Sequence, residues 1–93
     1  MSVTVKLPTQ LRASAGGSGE VELAIEGGTV ETVVEALFAA HGDLRERLTD
    51  DDGELRRFVN VYVDGEDIRF GDGLATPVGD GGEVQILPAV AGG

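Results

Sequence analysis

Val30, Val33, Val34, Leu37 and Phe38 recur at i, i+3, i+4, i+7 and i+8, which lines five apolar side chains along one face of an α-helix. The other strong apolar patterns in the chain alternate with a period of two. A chain with one amphipathic helix among short strands has one stripe to bury, and a sheet is the surface that can cover it. The helix is expected over Val30 to His41. Thr29 suits the N-cap, Glu31 the positive first turn, and Gly42 a left-handed residue just past the end.

The strands fall on both sides of that helix. Val3, Val5 and Leu7 alternate with Thr4 and Lys6, giving a first strand from Ser2 to Leu7. Pro8 cannot donate to a ladder, and "PTQLRASAGGSGE" reads as a long turn whose Gly16, Gly17 and Gly19 permit positive φ. Val21 to Glu26 alternates again and is expected to return antiparallel to the first strand. "DLRERL" adds a short helical turn with Leu44 and Leu48 inward, and "TDDDGE" follows as a solvated acidic loop. "FVNVYV", Phe58 to Val63, is rich in β-branched and aromatic residues and should lie centrally. Asp64-Gly65 is a hairpin signal, with "EDIRF" as the return strand. One helical turn is expected at Leu74 to Pro77, and "EVQIL" is the last strand, with Val84 and Ile86 on one face and Gln85 and Leu87 on the other. The order β-β-α-β-β-β predicts an α+β fold of the ubiquitin-like β-grasp type. It is a mixed sheet of about five strands packed on one main helix, with the first and last strands parallel at its centre. Residues 1–88 form this domain, and 89–93 a flexible Gly-Gly tail that leaves the end of the sheet.

Charge and missing residue types remove several functions. Asp plus Glu number 17 against 7 Lys plus Arg, a formal net charge of -10, which repels phosphate backbones and anionic membranes and favours basic protein surfaces. The chain has no cysteine, so it has no disulfide, thiolate metal site or cysteine nucleophile. His41 is its only histidine, so neither a Ser-His-Asp triad nor a histidine metal cluster can be assembled. "GSGEVE", from Gly17, has Glu22 where a dinucleotide-binding loop needs its third glycine, and no Gly-Lys-Ser/Thr is present. Aligning Gly53 with the sixth position of a calcium loop puts Leu48 where the first aspartate belongs. "MSVTVKLPTQ" lacks the apolar run of a signal peptide, and no stretch reaches membrane-spanning length. A cytoplasmic protein with no catalytic and no metal site is expected.

Two features remain. If Val59, Val61 and Val63 face the helix, Phe58 and Tyr62 project from the open face of the sheet near Leu87, a candidate surface for a partner. Beyond Pro88, "AVAGG" reaches at most roughly 16–18 Å. Ala89, Val90 and Ala91 are small and Gly92 and Gly93 lack Cβ atoms, so the tail can thread a narrow active site and take unusual φ at its end. A chain ending at Gly93 also needs no processing to expose that carboxylate.

The stretch "RFVNVYVDGEDIRFGDGLATPVGDGGEVQILPAVAGG", Arg57 to Gly93, resembles the bacterial sulfur carriers of the MoaD/ThiS ubiquitin-like family, most closely its CysO type, which serves an alternative cysteine synthesis. "LPTQLR", Leu7 to Arg12, resembles the same group. Between Gly16 and Glu54 the similarity is one of pattern. The resemblance implies that Gly93 is the site of covalent sulfur attachment, adenylated and converted to a thiocarboxylate, with Gly92, Ala91 and Val90 recognised along the tail. It implies a carrier that is a substrate rather than an enzyme. It would bind no cofactor of its own; ATP and magnesium belong to an E1-like adenylating/sulfurtransferase enzyme, and pyridoxal phosphate to a cysteine synthase. A metal-dependent peptidase would release the product from a monomeric carrier. A MoaD- or ThiS-like carrier for molybdopterin or thiazole synthesis, a ubiquitin-like modifier joined to target lysines, and a binding module with an inert tail are the alternatives.

Overall fold

The structure, a computed structural model, describes residues 2–25, 28–56 and 59–88. In chain order it contains β1 (Ser2–Lys6), α1 (Thr9–Arg12), a 3-10 turn at Ala13–Ala15, β2 (Glu20–Ala24), α2 (Val30–Ala40) and α3 (Asp43–Leu48). These are followed by β3 (Val59–Val63), β4 (Glu66–Asp67), 3-10 turns at Ile68–Phe70 and Gly73–Ala75, and β5 (Glu83–Pro88). The five strands form one sheet in the order β2-β1-β5-β3-β4. Only β1 and β5 run parallel, with Val5 opposite Val84; β5 and β3 are antiparallel, with Val61 opposite Ile86. This is the ubiquitin-like β-grasp arrangement.

Alternation along each strand decides which side chains meet the helix. Val3, Val5, Val61, Val84 and Ile86 lie at or below 2% exposure beneath Val30, Val33 and Leu37 of α2, each at 0%. Their side chains are the centre of a continuous apolar core. The α2 N-cap forms as its sequence dictates: the Thr29 hydroxyl accepts from the Thr32 amide, and Glu31 occupies the first turn. Leu44 and Leu48 on α3 are buried, as their spacing requires.

Four local expectations are corrected. Pro8 to Glu20 is not a plain turn: Pro8, extended at φ -70° and ψ 161°, starts α1. Leu11 and Ala15, four residues apart, turn inward, with Ala15 at 3% exposure. Two apolar residues are too few to register as a stripe, yet they suffice once a core stands beneath them. Gly16 at φ 69° then ends the turn in the left-handed region.

Gly42 is right-handed, at φ -57° and ψ -30°. The chain changes direction at His41, φ -136° and ψ 81°, because α3 begins at once and leaves no room for a reversing cap. The return strand from Glu66 is only two residues long. The Asp67 carboxylate accepts from the Arg69 amide at 2.8 Å and draws the chain into a 3-10 turn. The turn expected at Leu74 to Pro77 lies at Gly73–Ala75. Strand ends also move slightly: β1 stops at Lys6 rather than Leu7, β2 starts at Glu20, and β5 extends to Pro88. Asp64 at φ 48° and Gly65 at φ 91° form the hairpin turn, the pair of positive φ angles that favours Asp-Gly between twisted strands.

Candidate functional site

The topology brings the end of β5 to a defined place. Pro88 sits opposite Val59, the first residue of β3, and Leu87 opposite Asn60. The chain therefore leaves the sheet from a strand clamped on both edges, by β1 and β3, at the end of the molecule that also carries α1 and α3. Beside this exit Pro8, Leu11, Leu48, Val59, Ile86 and Leu87 line a crevice of about 220 Å³ together with Gln10. Arg47 borders it.

Tyr62 and Leu87 both lie on the open face, half-buried. They are diagonal neighbours, since Tyr62 pairs with Gln85 and Leu87 with Asn60. Diagonal pairs on adjacent strands remain within reach for an aromatic side chain. The structure thus brings these two candidates onto one face, although neither is fully exposed. Leu87 is flanked by Pro8 and Gln10 of the helical turn that replaces the expected loop. Phe58, the third candidate of that surface, lies outside the described residues, as do Val90, Ala91, Gly92 and Gly93. The tail expected at 89–93 falls there too, and the boundary placed at residue 88 lies at the edge of the described residues.

One exposed apolar residue escaped the sequence reading. Phe70 is 92% exposed at the outer edge of the sheet, where alternation in "EDIRF" had put it on the same strand face as Ile68. Ile68 is buried at 6%. A period-two reading cannot separate them; the early Asp67 cap does, by turning the chain between them.

The acidic run at Asp50 to Asp52 is a self-supporting turn. The Asp50 carboxylate accepts from the amides of Asp52 and Glu54, at 2.9 and 3.1 Å. Among the described residues no group of three or more His, Cys, Asp or Glu side chains is arranged to hold a metal ion. No helix among them is long and apolar enough to cross a membrane.

A five-stranded sheet with its last strand at the centre beside the first and a helix across one face is the fold of small ubiquitin-like proteins. Within it, this chain belongs to the ThiS family, whose model matches residues 5–93. It is 50% identical over 95 residues to the sulfur carrier protein CysO of Mycobacterium tuberculosis, with all of both chains covered. CysO in the crystal structure of the Amycolatopsis orientalis BexX/CysO complex superimposes with a TM-score of 0.85 at 44% identity, covering 98% of this chain and 99% of that one. The crystal structure of SAMP1 from Haloferax volcanii gives a TM-score of 0.86 at 34% identity, with both chains fully covered.

Proposed function

We propose that this chain is a sulfur carrier that delivers sulfur as a thiocarboxylate on Gly93 for the synthesis of cysteine. The observation that carries the reading is the 50% identity to a protein named as a sulfur carrier over the whole length of both chains. With no cysteine in the chain, the sulfur would be carried on the Gly93 carboxyl group. A carboxylate is a poor electrophile, so one oxygen must first become a leaving group. The Gly93 carboxylate attacks the α-phosphorus of ATP and expels pyrophosphate; hydrosulfide then attacks the acyl carbon and expels AMP, losing its proton. An E1-like adenylating enzyme supplies the magnesium and the positive charge that stabilise the phosphates. The carrier contributes the nucleophilic carboxylate and a tail slim enough to reach a buried site.

In a pyridoxal-phosphate cysteine synthase the thiocarboxylate sulfur would take the place of the phosphate of O-phosphoserine, with phosphate released as the C–S bond is gained. Once the product's α-amine is free, the resulting thioester rearranges as that amine attacks the acyl carbon. Sulfur leaves as the cysteine thiol, and cysteine remains joined to Gly93 by a peptide bond. A metal-dependent peptidase cleaves that bond and returns the carrier. Tyr62 and Leu87 on the open face, with Phe58 as the sequence pattern suggests, are the residues through which these enzymes would hold the sheet. A carrier that changes hands must dissociate readily, in keeping with a monomer that works in the cytoplasm.

The test is to incubate the thiocarboxylated protein with the host's cysteine synthase and O-phosphoserine. The expected product is heavier by one cysteine residue, attached to Gly93. Thiocarboxylate that persists here, yet is consumed by the enzymes of molybdopterin or thiazole synthesis, would move the carrier to one of those pathways. A 39% identity over 82 residues to a Haloferax volcanii protein named small archaeal modifier protein 1 favours a second reading, in which Gly93 is joined to lysine side chains of other proteins. That reading predicts isopeptide-linked adducts in host extracts.

A further inference from the structure

We propose that Phe70 anchors a docking surface along the β4 edge of the sheet. Its partner presents an apolar pocket rimmed by arginine or lysine, and that partner is the adenylating enzyme which takes up the tail. Phe70 is the large apolar side chain left exposed among the described residues, at 92%, and an aromatic ring held in water is an unspent contact. Its backbone is fixed from both sides. The Asp67 carboxylate accepts from the Arg69 amide at 2.8 Å, and the Gly71 amide donates to the Ile68 carbonyl at 3.1 Å. Ile68 is buried beneath. The ring is therefore presented by a turn that is already ordered, which lowers the entropic cost of docking it.

The surroundings of the ring select the partner. Phe70 shares an open groove of about 960 Å³ with Tyr62, Asp64, Glu66 and Asp67, and Asp72 is exposed two residues further on. Arg69, the nearest cation in sequence, is exposed but engaged, its Nη2 donating to the Val59 carbonyl at 3.0 Å. The ring thus stands among carboxylates, on a chain whose net charge is -10. A second copy of this chain would bring two such edges together and be repelled, as would an anionic membrane. A pocket framed by basic side chains is attracted.

The same Arg69 bond locates the surface with respect to the tail. Val59, which Arg69 holds, is the residue opposite Pro88, so the Phe70 turn is tethered to the strand end from which the tail departs. An enzyme that takes up the tail must bind near that strand end, while the carboxylates of Asp64 and Glu66 stand toward the hairpin end of β3. Naming that enzyme as the occupant rests on the carrier reading; the apolar and acidic character of the surface does not.

The test is equilibrium binding of the full-length protein to the host's adenylating enzyme without ATP, which reads affinity apart from chemistry. Phe70→Ser should raise Kd by at least about tenfold, with Phe70→Leu intermediate and the melting temperature of both unchanged. Glu66→Gln should weaken binding about two- to fivefold at low salt and not at high salt. Wild-type affinity in Phe70→Ser, or a lower melting temperature in that variant, would overturn the proposal. So would the absence of any binding by the wild type, or a wild-type dimer in sedimentation that Phe70→Ser dissolves. Failure of the carrier reading shows separately, as the absence of thiocarboxylate on the wild-type protein. Loading of the wild type together with an unaltered Kd for Phe70→Ser discards the surface alone.

Discussion

Gly93→Ala, and equally a chain shortened by Gly93, should lose at least about 100-fold in tail adenylation, read as ATP-pyrophosphate exchange with the host's activating enzyme. Folding should be untouched. In the proposed adenylation a methyl group on the terminal residue would sit next to the reacting carboxylate in a narrow channel, and shortening would withdraw the carboxylate by one residue. Misplacement of a reacting group by about 1 Å is enough for a loss of this order. Neither change reaches the sheet, because the ladder between β5 and β3 is complete at Pro88 and Val59. An unchanged melting temperature with activity lost is the expected pair of results. Full exchange activity in either variant would remove Gly93 from the chemistry.

Leu37→Ala should have the largest effect on stability. Leu37 lies in the centre of α2 at 0% exposure, with Val33, Val34 and Phe38 on the same buried stripe. Alanine retains the helix propensity, so the loss is one of packing: a buried leucine replaced by alanine costs about 2–5 kcal/mol, the upper part of that range where the cavity cannot close. The helix is pinned at its start, where the Val30 amide donates to the Thr76 carbonyl at 2.9 Å. It is also joined at its end directly to α3, so it has little freedom to settle into the gap. About 3–4 kcal/mol and a fall of roughly 12–30 °C in melting temperature are expected for a domain of this size, measured by thermal or urea unfolding. A fall of less than about 5 °C would mean that α2 does not carry the core. The tail chemistry of the fraction still folded should be normal, the reverse of the Gly93 variants.

The contrast between these variants reflects how fold and site are written in the chain. The α2 stripe, the Thr29 cap, the Asp64-Gly65 turn and the alternation of β1, β3 and β5 are local patterns with large energetic consequences, and they can be read without coordinates. Parallel pairing of β1 and β5 is legible only through the β-grasp architecture that the element order suggests, and not from any local pattern. The helical turns after Pro8 could not be read this way. Leu11 and Ala15 gain their inward preference only from the core beneath them, which is a tertiary effect. Gly42 misled for a related reason: a glycine after a helix signals a left-handed cap only when the chain then leaves the helical path, and α3 begins immediately.

The candidate site divides in the same way. Tyr62 and Leu87 share the open face as alternation requires, whereas Phe70 was hidden by it. The side-chain cap from Asp67 that ends β4 outweighs the β-propensity of "EDIRF", and aspartate in such a run is ambiguous between a strand position and a cap. The tail belongs to sequence alone. Its small residues and final glycines suit passage through a narrow channel, and the proposed chemistry would reside in the Gly93 carboxylate.

The most direct measurement is the intact mass of the protein purified from its native host, before and after a thiol-alkylating reagent. With no cysteine in the chain, a single alkylation has no side-chain thiol to report. A species heavier by the exchange of one oxygen for one sulfur, alkylated once and mapped to Gly93, is the predicted result. Unmodified mass alone, persisting after incubation with the host's adenylating enzyme, ATP and a sulfur source, would contradict it.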